Sequence, residues 1–400
     1  MPGRQPSLRL SDLLLLSLLA SGAAACAPRV TLDRAVMAYD RTTAESVSKQ
    51  LLLNIARARR NQPMHFTAIS NIAATYRFSA NAGLSPALTG DKGFLVVPLI
   101  GASAEENPTI SIAPMQGEEF TQRLLTPFEE GKLTLLLRQG YDVDALLRLM
   151  GAEIRLQDPA TGELKVNHNR PSDREGYPVY RRVMAHLSAI QDRQSLYVEP
   201  LHFEHVWTVP GESVTPETFQ ALYREFSLTS DAAGHTYRVA KRVNGRVIIT
   251  NYDPATLTNE DRFKLHEEAE EVPYNDILLD IRAGHVGGEM PLHGRLRLRS
   301  FHEVLTFIAR GMAEEPEYDV APDPRTPPIT ENPVHTLEIV ESKRPPDKAD
   351  LSVDYGGSYY AVRPQGEYQW NRKVFSLLYE LFQMSVSTTP AAGPAITIAK

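Results

Sequence analysis

Residues 295–312 read RLRLRSFHEVLTFIARGM, and this stretch shows how the whole chain is patterned. Leu296 and Leu298 alternate with arginines, which is the two-residue period of a β-strand. Ser300-Phe301-His302-Glu303 then has the spacing of a helix capping box. Apolar residues at helical spacing follow it, at Val304, Leu305, Phe307, Ile308 and Met312. The stretch therefore predicts a strand that leads directly into a helix.

Strand and helix patterns alternate in mixed order along the rest of the chain. Helices are predicted at about residues 43–60, in three short pieces after Gln116, at 179–190, from Thr215, at 259–270 and at about 371–386. Strands are predicted at 66–78, 94–100, 109–113, 153–157, 163–166, 195–209, 296–298, 335–340, 351–355, 358–362 and 395–399. Residues 83–93 are predicted as a loop, and 235–251 as a hairpin with an Asn244-Gly245 turn. Because no regular βαβ order appears, we predict an α+β fold of short helices and antiparallel strands.

These elements group into units along the chain. We predict a signal peptide at 1–25 and a lipidated tether at 26–41, followed by an N-terminal α+β unit at 42–150 and a central α+β unit at 151–320. Residues 321–348 are rich in proline and charge, so they are predicted as a linker region. Residues 349–400 are predicted as a C-terminal strand–hairpin–helix unit.

The N-terminus has the pattern of an export signal. Arg4 and Arg9 precede an apolar run, and LLLLSLLASGAAAC at residues 13–26 ends in small residues and the sole cysteine of the 400-residue chain. The run is shorter than the roughly 20 residues of a membrane-spanning helix. Its end resembles a bacterial lipobox. That resemblance implies a diacylglycerol on the thiol of Cys26, cleavage before it, and acylation of the new amine with a fatty acid such as palmitate.

The lipobox pattern has one alternative and one further implication. Ala23 stands where leucine is usual, so ordinary cleavage that leaves Cys26 as a free thiol is the competing interpretation. By resemblance to Gram-negative lipoproteins, Ala27 after the cysteine implies the outer membrane, with the body facing the periplasm. The lipid on Cys26 is then the expected link to the membrane, since several acyl chains hold firmly where one holds marginally.

Composition excludes some classes of partner and bond. Loss of residues 1–25 removes Arg4, Arg9 and Asp12, so the net charge changes from −7 to 40 − 48 = −8. This mildly acidic chain gives no electrostatic reason to expect nucleic-acid binding. One cysteine cannot form an internal disulfide, so packed cores must stabilise the fold.

Candidate chemical residues are few, and no catalytic, cofactor-binding or metal site is predicted. His202 and His205 form an H-x-x-H pattern, but on a strand the two side chains point to opposite faces and do not share a metal. His202 and Glu204 share a face and have the residue types of an acid–base pair. Asp142 and Asp144 form a DxD pattern at a helix start, where acids favour the positive end of the helix dipole.

Several strings resemble a family of proteobacterial envelope lipoproteins that is functionally uncharacterised. They are LLLNIARAR (51–59), PTISIAPMQGEEFTQRLLTP (108–127), RLRSFHEVLTFIARG (297–311) and LSVDYGGSYYAV with VFSLLYELF (351–362, 374–382). The resemblance implies an anchored α+β body. It implies no catalytic residues.

The expected function is that of a non-enzymatic interaction or assembly component in the cell envelope, with unknown envelope protein partners. Two alternatives stay open. The long alternating strand at 66–78 is compatible with an oligomeric export or pore component, although it also suits a sheet that covers a soluble core. A hydrolase of envelope polymers is the other alternative; it would act through scattered acids and histidines, of which His202 and Glu204 are the named pair.

The anchor yields the first testable prediction. Cys26→Ser should abolish incorporation of radiolabelled palmitate and move the protein from the membrane fraction to the soluble periplasmic fraction, because the thiol is the proposed attachment point of the lipid. The measurement is labelling followed by fractionation. A Cys26→Ser protein that stays labelled and membrane-bound would contradict the prediction.

Overall fold

The computed structural model describes residues 10–89, 93–231, 235–347, 349, 351–364 and 369–386, with side chains described outside 10–32, 35 and 69–109. The described residues fold as α+β. The helices are α1 (Leu10–Arg59), α2 (Glu118–Leu125), α3 (Glu130–Arg138), α4 (Val143–Met150), α5 (Gly176–Gln191), α6 (Pro216–Glu225), α7 (Asn259–Glu270), α8 (Phe301–Gly311) and α9 (Trp370–Ser385). The predicted strand at 395–399 lies outside the described residues.

The strands form three sheets among the described residues. They are β1 (Phe66–Thr89), β2 (Gly93–Met115), β3 (Gly151–Gln157), β4 (Leu164–His168), β5 (Tyr197–Pro210), β6 (Ser227–Ser230), β7 (Thr236–Thr250), β8 (Asp276–Ile281), β9 (Leu292–Leu298), β10 (Ile339–Ser342), β11 (Ser352–Tyr355) and β12 (Ser358–Val362). The largest sheet has the order β4-β3-β9-β8-β7-β5, with β6 also on β7. Its pairs are antiparallel except for the parallel pair β7–β8. The others are β10-β12-β11 and β1-β2.

The described residues divide into two compact units. One contains residues 10–51 and 69–113, and therefore most of α1 and of the β1–β2 sheet. The other contains 52–68 and 114–386, with the two remaining sheets and their helices. Among the parts of the chain that the structure describes, none of the helices combines the length and hydropathy needed to cross a bilayer.

The core of the larger unit lies on both sides of β8. Every residue of β8 is buried, and so is every residue of α4. One face of the sheet packs against α7, through a cluster of Leu201, Phe203, Ile248, Leu265, Ala269 and Leu278. Elsewhere in this unit the ring of Phe66 stacks on that of Phe382, with centroids 4.7 Å apart. Apolar burial of this extent is the main favourable contribution to folding.

The strand-to-helix prediction at 295–312 is confirmed. β9 ends at Leu298, and α8 begins at Phe301 with Ser300 as its N-cap. The Ser300 hydroxyl accepts from the Glu303 backbone N–H at 3.2 Å, and a Glu303 carboxylate oxygen accepts from the Ser300 N–H at 2.8 Å. The reciprocal bonds satisfy donors that a helix start leaves unpaired.

The predicted hairpin at 235–251 is wrong, because β7 runs unbroken from Thr236 to Thr250. The register with β5 shifts between Pro200 and His202, so Asn244-Gly245 lies at a β-bulge and not at a turn. A Cβ on Gly245 would lie 2.8 Å from His266 Nδ1 and 2.9 Å from Phe203 Cε1. Glycine therefore stands here because α7 approaches the strand closely, a reason that the local sequence does not reveal.

Elements near the N-terminus are longer than predicted. The helix predicted at 43–60 begins at Leu10, and the predicted tether at 26–41 is helical. Residues 29–42 contain neither glycine nor proline, so nothing in them opposes a helix. The predicted loop at 83–93 is strand up to Thr89, and the strands at 94–100 and 109–113 are parts of one strand, β2. Prolines within these strands are tolerated because each strand of a two-stranded sheet has an outer edge.

The strand at the centre of the large sheet has no counterpart among the predicted elements. β8 reads DILLDI, without the alternation of a half-buried strand. A strand that is covered on both faces is apolar on both, so the two-residue period is lost. β8 also pairs with β7 in parallel orientation, whereas only antiparallel strands were predicted.

Part of the predicted linker region packs against the larger unit. Arg148, which is fully buried, donates to the carbonyl oxygens of Pro333 at 2.9 Å and Val334 at 2.8 Å. Glu317 lies 3.6 Å from Arg148 and 3.7 Å from Arg181, and it accepts from the Thr336 backbone N–H at 2.6 Å. Burial raises the pKa of Glu317, but Arg148 and Arg181 outweigh burial, so the pKa lies below its ordinary value.

The Glu317 carboxylate yields the second prediction. Glu317→Gln should lower the free energy of unfolding by roughly 3 kcal/mol, because two buried guanidinium groups lose their shared counter-charge. The measurement is urea unfolding at neutral pH. The control is Glu314→Gln, whose exposed carboxylate lies 3.4 Å from Arg59 and should matter by about 0.5 kcal/mol or less. Equal losses in the two variants would contradict the prediction.

Candidate functional site

A cleft of about 400 Å³ lies in the larger unit, where β3, β4 and β9 meet the start of α8. Its charged and polar lining residues are Glu153, His168, Asn169, Arg170, Arg297, Arg299, His302, Glu303, Thr306, Arg310 and Glu315, with Phe307 beside them. All of its α8 residues lie within the stretch 295–312. We regard this cleft as the candidate site because its charges are not balanced within the protein.

The glutamates of the cleft are each engaged by neighbouring residues. Glu315 accepts from Arg170 at 2.6 and 2.8 Å, and Glu303 takes part in the capping box of α8. Glu153 accepts from Arg155 at 2.6 Å and lies 3.2 Å from Nδ1 of His168. The carboxylates are therefore held by internal contacts.

Arg299 is the buried cation of the cleft, with only 5% of its surface exposed. Its Nη1 donates to the carbonyl oxygens of Arg148 and Leu149, each at 3.2 Å, and its Nη2 donates to the carbonyl oxygen of Asn169 at 2.6 Å. Its Cζ lies 3.9 Å from the ring centroid of Phe307. Across the described chain, Arg299 has no carboxylate within ion-pair distance.

The chain positions Arg299 through the end of α4. The last carbonyl groups of a helix have no partner within it and carry the negative end of the helix dipole. Arg299 donates to two of these carbonyls, and its own backbone N–H donates to the Met150 carbonyl oxygen at 2.6 Å. The dipole supplies about half an elementary charge, which compensates for the cation only in part. Burial lowers the pKa of Arg299 to about 10, which is the mark of incomplete compensation.

Asn169 also lines the cleft, and its side chain has one buried acceptor that no described residue pairs with. It is 1% exposed, and its Nδ2 donates to the carbonyl oxygens of Arg148 at 2.8 Å and Gly151 at 2.9 Å. These two acceptors fix which atom of the amide is nitrogen. Its Oδ1 is buried and has no hydrogen-bond partner among the described residues. An unpaired buried acceptor costs free energy unless something else donates to it.

The cleft therefore suits a ligand with a negative charge. Arg299 and the exposed Arg310 line it and provide positive charge beyond what the glutamates use. Guanidinium groups match the oxygen geometry of carboxylates and phosphates. No local sequence signal marks this site, because a buried arginine and an exposed arginine cannot be distinguished by their neighbours in sequence.

The acid–base arrangement that a shared strand face would allow for His202 and Glu204 does not form. His202 Nδ1 lies 2.9 Å from Asn244 Oδ1, whereas Glu204 pairs with Arg238 at 3.1 Å. His205 instead packs between aromatic rings, with its centroid 5.3 Å from that of Phe203 and 5.2 Å from that of Phe263. Within the described chain, no cluster of three or more His, Cys, Asp or Glu residues is arranged to hold a metal ion.

The DxD pattern divides into two unrelated roles. Asp142 is the N-cap residue of α4 without a side-chain cap bond, and it lies 4.0 Å from Lys373. Asp144 is buried and pairs with Arg148 at 3.3 Å. Asp144 therefore neutralises a buried arginine within α4, whereas Asp142 lies half-buried at the start of the helix.

The arginines at the end of α1 contact the protein itself. Arg60 donates to the hydroxyl of Tyr360 at 3.0 Å, Arg57 donates to the His65 carbonyl oxygen at 2.9 Å, and Arg59 pairs with Glu314. For Cys26, the predicted lipidation residue, no contact can be given, because its side chain lies outside the described residues.

A second group of titratable residues joins α7 to the sheet. His293 Nε2 lies 2.9 Å from Glu268, and its Nδ1 lies 3.3 Å from Asp280. Asp280 also accepts from the hydroxyl of Tyr252 at 2.6 Å and from Arg282 at 2.7 Å. The bonds to Asp280 and Glu268 raise the pKa of His293 to about 9. At neutral pH this histidine is therefore a cation, which does not act as a general base.

His293 yields the third prediction. Because its pKa in the folded state lies above the usual 6.5, its stabilisation is complete below pH 6.5 and is lost as the pH rises through about 9. His293→Gln should lower the free energy of unfolding by about 1–2 kcal/mol at pH 6, a value reduced for the exposed third of the side chain. The measurement is urea unfolding at pH 6 and pH 10.

The control for His293 is the exposed His235, substituted in the same way. The deficit of His293→Gln should shrink at pH 10, whereas His235→Gln should differ little from the parent protein at either pH. A deficit of His293→Gln that does not change with pH would contradict the assignment of charge.

Comparisons with known proteins return no match: no family model, no curated protein and no solved structure is similar enough to the chain to count as one. A function has to be argued from the contacts and charges of this chain.

Proposed function

We propose that this chain is a lipid-anchored protein of the cell envelope that acts without catalysis, as an interaction component that holds an anionic group of its partner in the cleft at the start of α8. The observation that carries the proposal is Arg299. Its guanidinium is buried beside the cleft and has no carboxylate partner among the described residues. A buried charge without a full counter-charge is costly, and an anion that enters the cleft reduces this cost.

The arrangement of the cleft favours binding over turnover. Glu153, Glu303 and Glu315 each accept hydrogen bonds from neighbouring groups of the protein, so their oxygens are engaged before any ligand enters the cleft. A general acid or base needs a pKa near the working pH and a free path to the reacting group. These carboxylates are instead suited to keeping the cationic walls of the cleft in place.

The location is part of the same proposal. The export signal and Cys26 support a lipid anchor in the outer membrane, with the body on the periplasmic side. The partner is then an envelope molecule with a carboxylate or phosphate group, and the acidic chain gives no support for nucleic acid. The hydrolase alternative loses its named pair, because His202 and Glu204 each have a different partner.

The proposal is tested with inorganic phosphate and with acetate as separate probes. At constant ionic strength, phosphate, acetate or both should raise the Tm of the purified mature chain, because a ligand that binds only the folded state stabilises it. Arg310→Gln should weaken the preferred probe by roughly fivefold, which corresponds to about 1 kcal/mol. Arg310 is exposed at the cleft, so its loss should leave the fold intact.

The matched control is Arg344→Gln, an exposed arginine outside the cleft. Its Tm response to each probe should equal that of the parent protein. The proposal fails if neither anion raises the Tm, or if Arg310→Gln and Arg344→Gln respond alike.

A further inference from the structure

The β1–β2 sheet of the smaller unit is long and narrow. β1 has 24 residues and β2 has 23, and within the described chain these two strands pair only with each other. At about 3.3 Å per residue, each strand spans roughly 75–80 Å. A sheet of two strands is marginally stable in water without further partners.

Within the described chain, no third strand pairs with the outer edge of β1 or of β2. Along such an edge, backbone N–H and C=O groups can pair with another strand. Proteins usually protect such edges with short strands or with charged side chains. β1 is not short, and Arg77 is its sole charged residue; β2 has only Glu105 and Glu106. The long edges therefore carry little of the usual protection against pairing.

A second copy of the chain is the occupant that satisfies both edges. One added foreign strand covers one edge and leaves the other open. Copies of one chain instead pair β1 of one with β2 of the next, and the two strands match in length to within one residue. Such a head-to-tail contact leaves every copy in the same environment and ends when the ring closes. The proposed anchor on Cys26 would also hold the copies on one surface in one orientation.

We infer that the β1–β2 sheets of successive copies pair edge to edge, so that the chain forms a closed oligomer. This inference goes beyond the proposed binding role of the cleft. An oligomer of this kind is also what the alternative function, an oligomeric export or pore component, would require. The pairing region on β2 lies between its prolines, in residues 99–107, because proline lacks the N–H that a new neighbour needs.

The test measures the oligomeric state of the full mature chain. Native mass spectrometry of the lipidated protein in mild detergent should give one defined number of copies above one. The Cys26→Ser chain without detergent should give the same number, which separates edge pairing from copies that merely share a micelle. A monomer in both preparations, or a monomer recovered only with a foreign protein bound, would overturn the inference.

Two adjacent proline variants locate the contact. Successive N–H groups of a strand point to opposite sides, so one of Ala73→Pro and Ala74→Pro removes a donor from the outer edge of β1. That variant should lower the oligomer fraction at least tenfold without changing the Tm of the larger unit. Ala73→Ser and Ala74→Ser keep the N–H groups and should stay oligomeric. An oligomer that neither proline disrupts would overturn edge pairing.

Discussion

The larger unit depends on the charge of Arg148, which is buried completely and pairs with Asp144 and Glu317. A buried guanidinium has to be surrounded by acceptors, and the chain supplies them from distant segments. Its carbonyl acceptors come from residues 333 and 334, and its Cζ lies 5.7 Å from the ring centroid of Trp370 at the start of α9. This single charge therefore ties α4, the proline-rich segment and α9 to one another. Residues 333 and 334 lie outside helices and strands, so no regular structure occupies the carbonyl groups that accept from Arg148.

The cleft is built on the same helix end. The main-chain carbonyl of Arg148 accepts from both Arg299 and Asn169, while the Leu147 carbonyl accepts from the hydroxyl of Tyr180 at 2.6 Å. The C-terminus of α4 thus has carbonyls satisfied by side chains from α5 and from the loops that follow β4 and β9. Because Arg299 is bound to α4 in this way, its guanidinium has a fixed position before any ligand arrives. Such preorganisation reduces the entropy that binding costs.

Residue spacing along the chain predicted the fold class and many of the helices and strands. It could not predict features that depend on contacts between residues distant in sequence. The capping box at Ser300 and the polar helix at 259–270 follow from residue spacing, and both are confirmed. The prediction of a turn at Asn244-Gly245 was wrong. Glycine is needed there because the ring of His266 on α7, which is distant in sequence, leaves no room for a Cβ. The cleft was not foreseen for a similar reason. Alternation around Leu296 and Leu298 places arginines on an outer face, and only the neighbouring elements show that Arg299 is covered.

The bulge at Gly245 has a consequence for proton placement on α7. The Arg246 backbone N–H, next to the bulge, donates to His266 Nδ1 at 3.3 Å. That nitrogen must therefore be bare, so the ring hydrogen of the neutral imidazole sits on Nε2. Burial also lowers the pKa of His266, which keeps the ring neutral. If Nδ1 were protonated, its N–H would face the Arg246 backbone N–H, and two donors cannot form a hydrogen bond. The missing side chain of a glycine thereby selects one tautomer of a histidine on the neighbouring helix.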